Sequence, residues 1–290
     1  MSFWRCKSEG IDLKDALTRY TNEEAAEIFN PSWAHTNELD FFCYRCHDQT
    51  KDTLDSILLI ISGGEIKRIN LSQEVNHKVA DPKFFWKQDS LWITYNTGYS
   101  KNQNELYVQQ VHPDLGKPKL VKYNGRTNLE KNWGFFTFQD TLLAIYSLNP
   151  LIILKLDQQN EHDWVMLPHY EAPADKALGK LSIGTQPYLH QDNYYLIAHR
   201  KIRFGPLRLY YGKPVCIYNE NTEWKLELFP KKLIHSYRAL FGSSKKLNKN
   251  LISCTYFSGL TIKDNQARLS YGINDQDFGI TACPLETLWK

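Results

Sequence analysis

Long hydrophobic runs are missing from this sequence. The longest, such as Leu58-Leu59-Ile60-Ile61 and Leu151-Ile152-Ile153-Leu154, fall far below the roughly 20 apolar residues a helix needs to cross a bilayer. No transmembrane segment is therefore expected. Met1-Ser2-Phe3-Trp4-Arg5-Cys6 runs directly into the charged stretch Lys7 to Lys14 without the apolar core of a secretory signal, so a cytoplasmic location is expected. An excess of one charge is also lacking. With 35 Lys and Arg against 32 Asp and Glu, the net charge is only +3, too little for a global field that recruits nucleic acid or a membrane surface. The densest basic run, Lys245-Lys246-Leu247-Asn248-Lys249, is short and interrupted, and reads as a solvated loop.

Cysteine is sparse. Cys6, Cys43, Cys46, Cys216, Cys254 and Cys283 are expected as reduced thiols with no disulfides, as suits a large cytoplasmic domain. Cys43-Tyr44-Arg45-Cys46-His47 has the spacing of covalent haem attachment. It lies inside a strand-like segment, where alternation sends Cys43 and Arg45 to one face and Tyr44 and Cys46 to the other. No second close pair of Cys or His completes a zinc site, so no metal and no cofactor is expected. Ser62-Gly63-Gly64 lacks a following Lys-Ser/Thr and reads as a hairpin turn, not a phosphate cradle. With no Pro-rich or low-complexity linker, residues 1–290 are expected to form one domain.

What the sequence does have is aromatic and repetitive. Its 8 Trp, 17 Tyr and 14 Phe bring aromatics to 13%, a composition suited to strands. Four segments share one grammar: a polar residue beside a Pro or aromatic, then a Tyr or His fourteen positions later. They run Asn30-Pro31-Ser32-Trp33 to Tyr44, Asp81-Pro82-Lys83-Phe84 to Tyr95, Asn132-Trp133-Gly134-Phe135 to Tyr146, and Thr185-Gln186-Pro187-Tyr188 to His199. Their starts are 51, 51 and 53 residues apart, and a period of about fifty suits a four-stranded propeller blade. Polar turns at Gln88-Asp89-Ser90 and Gln139-Asp140-Thr141 make each unit open with a hairpin. A less marked fifth unit is carried by Leu251 to Tyr256 and Ala267 to Tyr271, separated by a turn around Lys263-Asp264-Asn265. The expected fold is all-β, a five-bladed β-propeller. A short N-terminal helix over Leu13 to Phe29 is expected to cap it.

In a propeller the first strand of every blade lines the central axis, so repeat-equivalent polar residues converge on one pocket. Asn30, Asp81, Asn132 and Thr185 hold those positions, flanked by Glu130, Lys131 and Gln186. Carboxylate, amides and cations in one funnel suit a polyhydroxylated ligand. Trp33, Phe84, Trp133 and Tyr188 are aromatic candidates for stacking on sugar faces, with packing between blades as the alternative for most of them.

Several motifs carry a family resemblance. Ala80-Asp81-Pro82-Lys83-Phe84-Phe85 resembles the Glu-Asp-Pro-Arg segment of the five-bladed β-mannoside phosphorylases of glycoside hydrolase family 130. Asn30-Pro31-Ser32 with Tyr44-Arg45 is similar to their first-blade motif, and Gly272-Ile273-Asn274-Asp275 to their last-blade turn. Glu130-Lys131-Asn132-Trp133, followed by Tyr146-Ser147-Leu148-Asn149-Pro150, is similar to a segment of related β-1,2-mannosyltransferases. Ala80 stands where the phosphorylases often carry Glu, and Lys83 where they carry Arg, which implies altered sugar or phosphate contacts.

The resemblance implies that Asp81 is the catalytic acid, with Glu130 and Asp275 as possible second carboxylates for an inverting reaction. Arg45, Lys131, His199 and Arg200 are expected to hold phosphate or a nucleotide diphosphate, and Asn132, Trp133 and Gln186 to help bind substrate. Two reactions remain open. The leading expectation is an inverting β-mannosyltransferase that uses a sugar nucleotide or sugar phosphate donor and an oligosaccharide acceptor. The alternative is a phosphorylase or hydrolase of β-mannosides, and a propeller that binds glycan without catalysis is a third reading from another class.

Overall fold

The computed structural model describes residues 3–5, 26–48, 53–63, 65–98, 103–128, 132–242 and 249–290. Strands dominate them, and they are organised as successive up-and-down meanders. Apart from β1 (Phe3–Arg5), which pairs in parallel with Lys232–Ile234, the first comprises β2 (Ala26–His35), β3 (Asp40–Asp48), β4 (Thr53–Ser62) and β5 (Glu65–Asn70), paired in that order. The second is β6 (Ala80–Lys87), β7 (Ser90–Asn96), β8 (Leu106–His112) and β9 (Lys119–Lys122). The third is β10 (Gly134–Phe138), β11 (Thr141–Leu148), β12 (Leu151–Gln159) and β13 (Asp163–Ala172). Next come β14 (Ser182–Ile183) and β15 (Tyr188–His190), both on β16 (Asn193–Phe204), followed by β17 (Leu207–Glu220) and β18 (Glu223–Leu228). After β19 (Lys232–Ile234), the chain ends in β20 (Leu251–Lys263), β21 (Gln266–Ile273) and β22 (Asp277–Pro284).

The opening strands of the meanders converge. β2 touches β6 and β20, β6 touches β10, and β15 touches β20. The first and last meanders are joined by side chains, because the Ser258 and Ser270 hydroxyls both donate to the Pro31 carbonyl, at 2.5 and 2.6 Å. Between meanders lie apolar layers. Phe85 stacks on Phe135 from the neighbouring meander at 4.8 Å, and Trp164 meets both rings edge-on. Offset and edge-to-face rings add to the area they bury, so these layers weld neighbours together.

Alternation along β3 works as expected. Cys43 lies in the core shared with the second meander, whereas Tyr44 and Cys46 lie in the core that includes Phe278 of the last. The five described cysteines are buried thiols that form no disulfide with one another, and the Cys43 thiol is raised by burial, so it is an inert core group. The hairpin turns expected at Gln88-Asp89, Gln139-Asp140 and Asp264-Asn265 are present, with positive φ at Gln88 in the first and at both residues in the other two.

One expectation needs correcting. Residues Ala26–Phe29, assigned to the helix, extend β2 and pair with β3 from Asp48 to Arg45. Phe29 is fully buried there, and a strand lets it reach that core while the ladder satisfies the backbone. The remainder of the expected helix, 13–25, lies outside the described residues. No described helix is long and apolar enough to cross a membrane.

Candidate functional site

The three repeat positions Asn30, Asp81 and Asn132 share an unusual backbone, with φ of 51°, 55° and 60°. At Asn30 and Asp81 the strand register also slips, between Phe29 and Ser32 and between Ala80 and Lys83. Each of those two is therefore a β-bulge that turns one side chain out of the ladder. Asn and Asp tolerate the left-handed conformation better than other residues with a Cβ, which explains why this repeat position is Asn or Asp.

The bulges aim these side chains at one another. Asn30 Nδ2 donates to Asp81 Oδ1 at 3.4 Å, and Arg45 Nη1 lies 3.6 Å from the same oxygen. Arg45 reaches it because β3 alternation puts it on the side of the second meander. Gly272 of β21 makes room for this arrangement, since a Cβ there would stand 1.8 Å from Asn30 Oδ1. Asp81 is only 6% exposed, so its carboxylate is held by neighbours and not by bulk water.

Tyr256 completes the cluster. Its hydroxyl accepts from Asn132 Nδ2 at 2.6 Å and from Lys83 Nζ at 3.2 Å, and it donates to Asp81. Burial and the adjacent Asp81 charge push the phenol well above its ordinary value, so it stays protonated. The Lys83 ammonium lies 5.2 Å from the Tyr256 ring centre. One phenol thus links residues from three meanders. Asn132 Oδ1 is buried without a hydrogen-bond partner among the described residues, an acceptor left for a ligand hydroxyl.

His199 borders this network and is neutral. Its Nε2 accepts the Phe257 amide at 2.7 Å, and its ring lies 4.3 Å from that of Tyr256. Burial and the Lys83 charge pull it down to about 3, which corrects the expectation that His199 serves as a cation. Trp133 and Gln186 are corrected too. Trp133 is 1% exposed and packs edge-on against Tyr146 and Tyr123, beyond reach of a sugar. Gln186 spends both ends of its amide on the backbone of the preceding meander, accepting from Phe135 N and donating to Trp133 O.

Arg200 takes another place. Its guanidinium donates to the Leu178 carbonyl and hydrogen-bonds Tyr211, on the wall of a cleft beside His199. Thr185 caps the Ile197 amide with its hydroxyl and is fully buried. Asp275 occupies the β21–β22 turn with φ of 60°, three residues after Gly272. Glu130 and Lys131 lie outside the described residues.

Tyr256 and Lys83 carry the network, yet neither was singled out as a site residue from sequence. Tyr256 precedes the register slip between Phe257 and Gly259 in β20. That slip is the last meander's counterpart of the Asn30 and Asp81 bulges, without an Asn-Pro or Asp-Pro to mark it. A strand pattern ending in Tyr-Phe-Ser-Gly was the available signal.

No protein-family model matches the chain, and no curated protein matches it by sequence. Solved structures match its fold. A glycosyl hydrolase from Bacteroides ovatus aligns with a TM-score of 0.61 at 12% identity, over 90% of this chain and 84% of that one. The chain shares its fold with glycan-active enzymes. β-1,2-Mannobiose phosphorylase from Listeria innocua, solved with β-1,2-mannobiose, gives a TM-score of 0.57 at 10% identity over 92% of each chain. A structure from glycoside hydrolase family 130, described as mannoside phosphorylases that include hydrolases targeting β-1,2-mannosidic linkages in Candida mannan, gives 0.62 at 12% identity over 90% and 85%. The resemblance read from the Asp81 and Asn30 motifs is thus matched by a likeness of the whole propeller-type fold.

Proposed function

We propose that this chain is a single-domain, five-bladed propeller enzyme that cleaves β-linked mannosides with inversion, with Asp81 as general acid and phosphate as the favoured nucleophile. The observation that carries the reading is the buried Asp81 carboxylate held between Arg45 and the Tyr256 hydroxyl, with the Lys83 ammonium on the same phenol. In this scheme the Asp81 carboxyl gives its proton to the glycosidic oxygen as the bond to the anomeric carbon breaks. A phosphate oxygen attacks that carbon from the opposite face, yielding α-mannose 1-phosphate and the shortened glycan. Asp81 then regains a proton from solvent.

Phosphorolysis is favoured over hydrolysis for a physical reason. Water needs a second carboxylate to remove its proton, whereas phosphate arrives as an anion and needs cations to place it. Arg45 and Lys83 supply such cations beside Asp81. The solved structures likewise support cleavage over the mannosyltransferase expectation, since those reported above are named as hydrolases and phosphorylases.

The test is incubation with β-1,2-mannobiose, with and without inorganic phosphate, and separately with GDP-mannose plus mannobiose. Release of mannose 1-phosphate that depends on phosphate is the expected result. Phosphate-independent release of mannose would assign a hydrolase. Elongation from GDP-mannose alone would restore the transferase, and binding without turnover in every arm would leave a glycan-binding propeller.

A further inference from the structure

Beside the Asp81 network, on the far side of His199, lies a second feature with a different chemistry. It is a cleft of about 570 Å³ between the end of β16, the start of β14 and the facing part of β17. Alternation along β16 puts His199, Lys201 and Arg203 on one face, so the strand forms a ladder from the buried imidazole outward to exposed cations. Arg200 and Lys180 add two more cations to the lining, and no carboxylate lines it among the described residues.

Such a concentration of positive charge opposes folding. Arg203 stands directly across from Arg208 on β17, and like charges in that position are destabilising. Deeper in the same hairpin, burial together with Arg200 and Lys232 pulls Lys213 down to about 8. The cations are also positioned. Arg200 is anchored by the Leu178 carbonyl, and Gly179, with φ of 59°, allows that approach because a Cβ there would stand 3.0 Å from Arg200 Nη2. Lys201 is held over the Tyr210 ring at 5.9 Å.

We infer that this cleft binds a phosphate group carried by the sugar substrate, so that the enzyme's glycan is a phosphorylated one. Several cations together match a phosphate monoester, which carries close to two negative charges at neutral pH, and the Arg fork fits phosphate oxygens in bidentate fashion. The size of the cleft matters here. It falls within the range of pockets that hold whole small ligands, about 300 to 1,000 Å³, and so accommodates a sugar with its phosphate where a lone ion would leave most of it empty. His199 lines the cleft, and its ring lies 4.3 Å from that of Tyr256, so the cleft adjoins the Asp81 network. The inference rests on the glycan-cleaving reading in placing this group on a substrate, but the binding chemistry stands by itself.

The test is calorimetric titration of the full chain with mannose 6-phosphate, mannose and inorganic phosphate in separate arms, repeated for the double variant Lys201→Glu, Arg203→Glu. Both replaced residues are exposed, and an unchanged melting midpoint certifies the fold. A second variant, Lys201→Gln with Arg203→Gln, serves if charge reversal disturbs folding. Mannose 6-phosphate is expected to bind at least tenfold more tightly than mannose or inorganic phosphate, to weaken as salt rises, and to lose at least tenfold in either double variant. Equal affinity for inorganic phosphate and mannose 6-phosphate would overturn the inference by showing that the cleft reads a free ion. Affinity unaltered by both variants would overturn it by locating the anion elsewhere. If the variants abolish mannose 6-phosphate binding while no mannoside is cleaved in any arm, the cleft assignment holds and the proposed reaction falls.

Discussion

The two ends of the converging strands differ sharply although the same strands build both. At one end, positive-φ backbone at Asn30, Asp81 and Asn132, with bulges at the first two, gathers them into a buried polar cluster with Tyr256 and Lys83. At the other, the strands run on into regular hairpins around a cavity of about 890 Å³, walled by Trp33, Phe84, Phe136 and Tyr188 and rimmed by the turns at Gln88-Asp89 and Gln139-Asp140. The first end gives up ladder regularity to aim polar groups inward. The second keeps the ladder and packs aromatics. The proposed chemistry lies at the end where the backbone departs from ideal strand geometry, the kind of place where strain collects at functional sites. Substitutions should separate accordingly, with activity failing first at the polar end and stability at the aromatic layers.

The sharpest separation is expected at Asp81. Asp81→Asn keeps the shape and the Asn30 contact but removes the transferable proton, and should lower kcat by about 10² to 10⁴, the usual contribution of general acid catalysis. Its melting midpoint should stay close to that of the wild type. A loss of fold in step with activity would erase the contrast between the two ends.

Phe135→Ala is the reciprocal change. Phe135 is fully buried between Phe85 and Trp164, and its truncation should cost about 3 to 5 kcal/mol in denaturant unfolding. The surviving folded fraction should retain most of its activity. A cost below about 1 kcal/mol would show that the layer collapses around the gap.

Tyr256→Phe refines the polar end. Losing one hydroxyl that serves Asp81, Asn132 and Lys83 takes the acceptor from the buried Asn132 amide, at about 1 to 3 kcal/mol. We expect kcat/KM to fall roughly 10- to 100-fold, since 1.4 kcal/mol corresponds to about tenfold. Wild-type turnover by this variant would remove the phenol from the catalytic network.

The last effect concerns pH. His199 is pulled down to about 3 and His235 to about 4, both chiefly by burial. A histidine depressed in the folded state leaves the unfolded chain to take up protons that the folded one refuses once pH drops below about 6.5. Stability is therefore complete above that pH and declines toward pH 3 to 4, by up to about 1.4 kcal/mol per pH unit for each histidine. The melting midpoint should be lower at pH 5 than at pH 7.5, and His235→Gln should shrink the difference. A midpoint that rises on acidification would contradict neutral burial.

The contrast between the two ends also explains what was legible in the sequence. Spacings of 51 residues and the Asn-Pro and Asp-Pro marks survive because a left-handed bulge restricts residue type. They led directly to Asn30, Asp81 and Asn132. Tyr256 escaped because its position in β20 makes no backbone demand that narrows its identity. Trp133 misled for the opposite reason, since its neighbour Asn132 faces the cluster while Trp133 itself faces the core. Gln186 and His199 matched the polar pattern, but backbone amides and carbonyls had already claimed their polar atoms. Repeat position shows where a side chain is, not whether its hydrogen bonds are spent. The helical reading of Ala26–Phe29 failed because local propensity was outweighed by the pairing of β2 with β3.

The most direct test is a crystal structure of the Asp81→Asn protein soaked with β-1,2-mannobiose and inorganic phosphate. The account predicts the glycosidic oxygen within hydrogen-bonding distance of residue 81, a sugar hydroxyl on Asn132 Oδ1, and phosphate against Arg45 and Lys83. Disaccharide bound instead in the aromatic cavity beside Trp33 and Tyr188, with the Asp81 cluster closed to it, would contradict it.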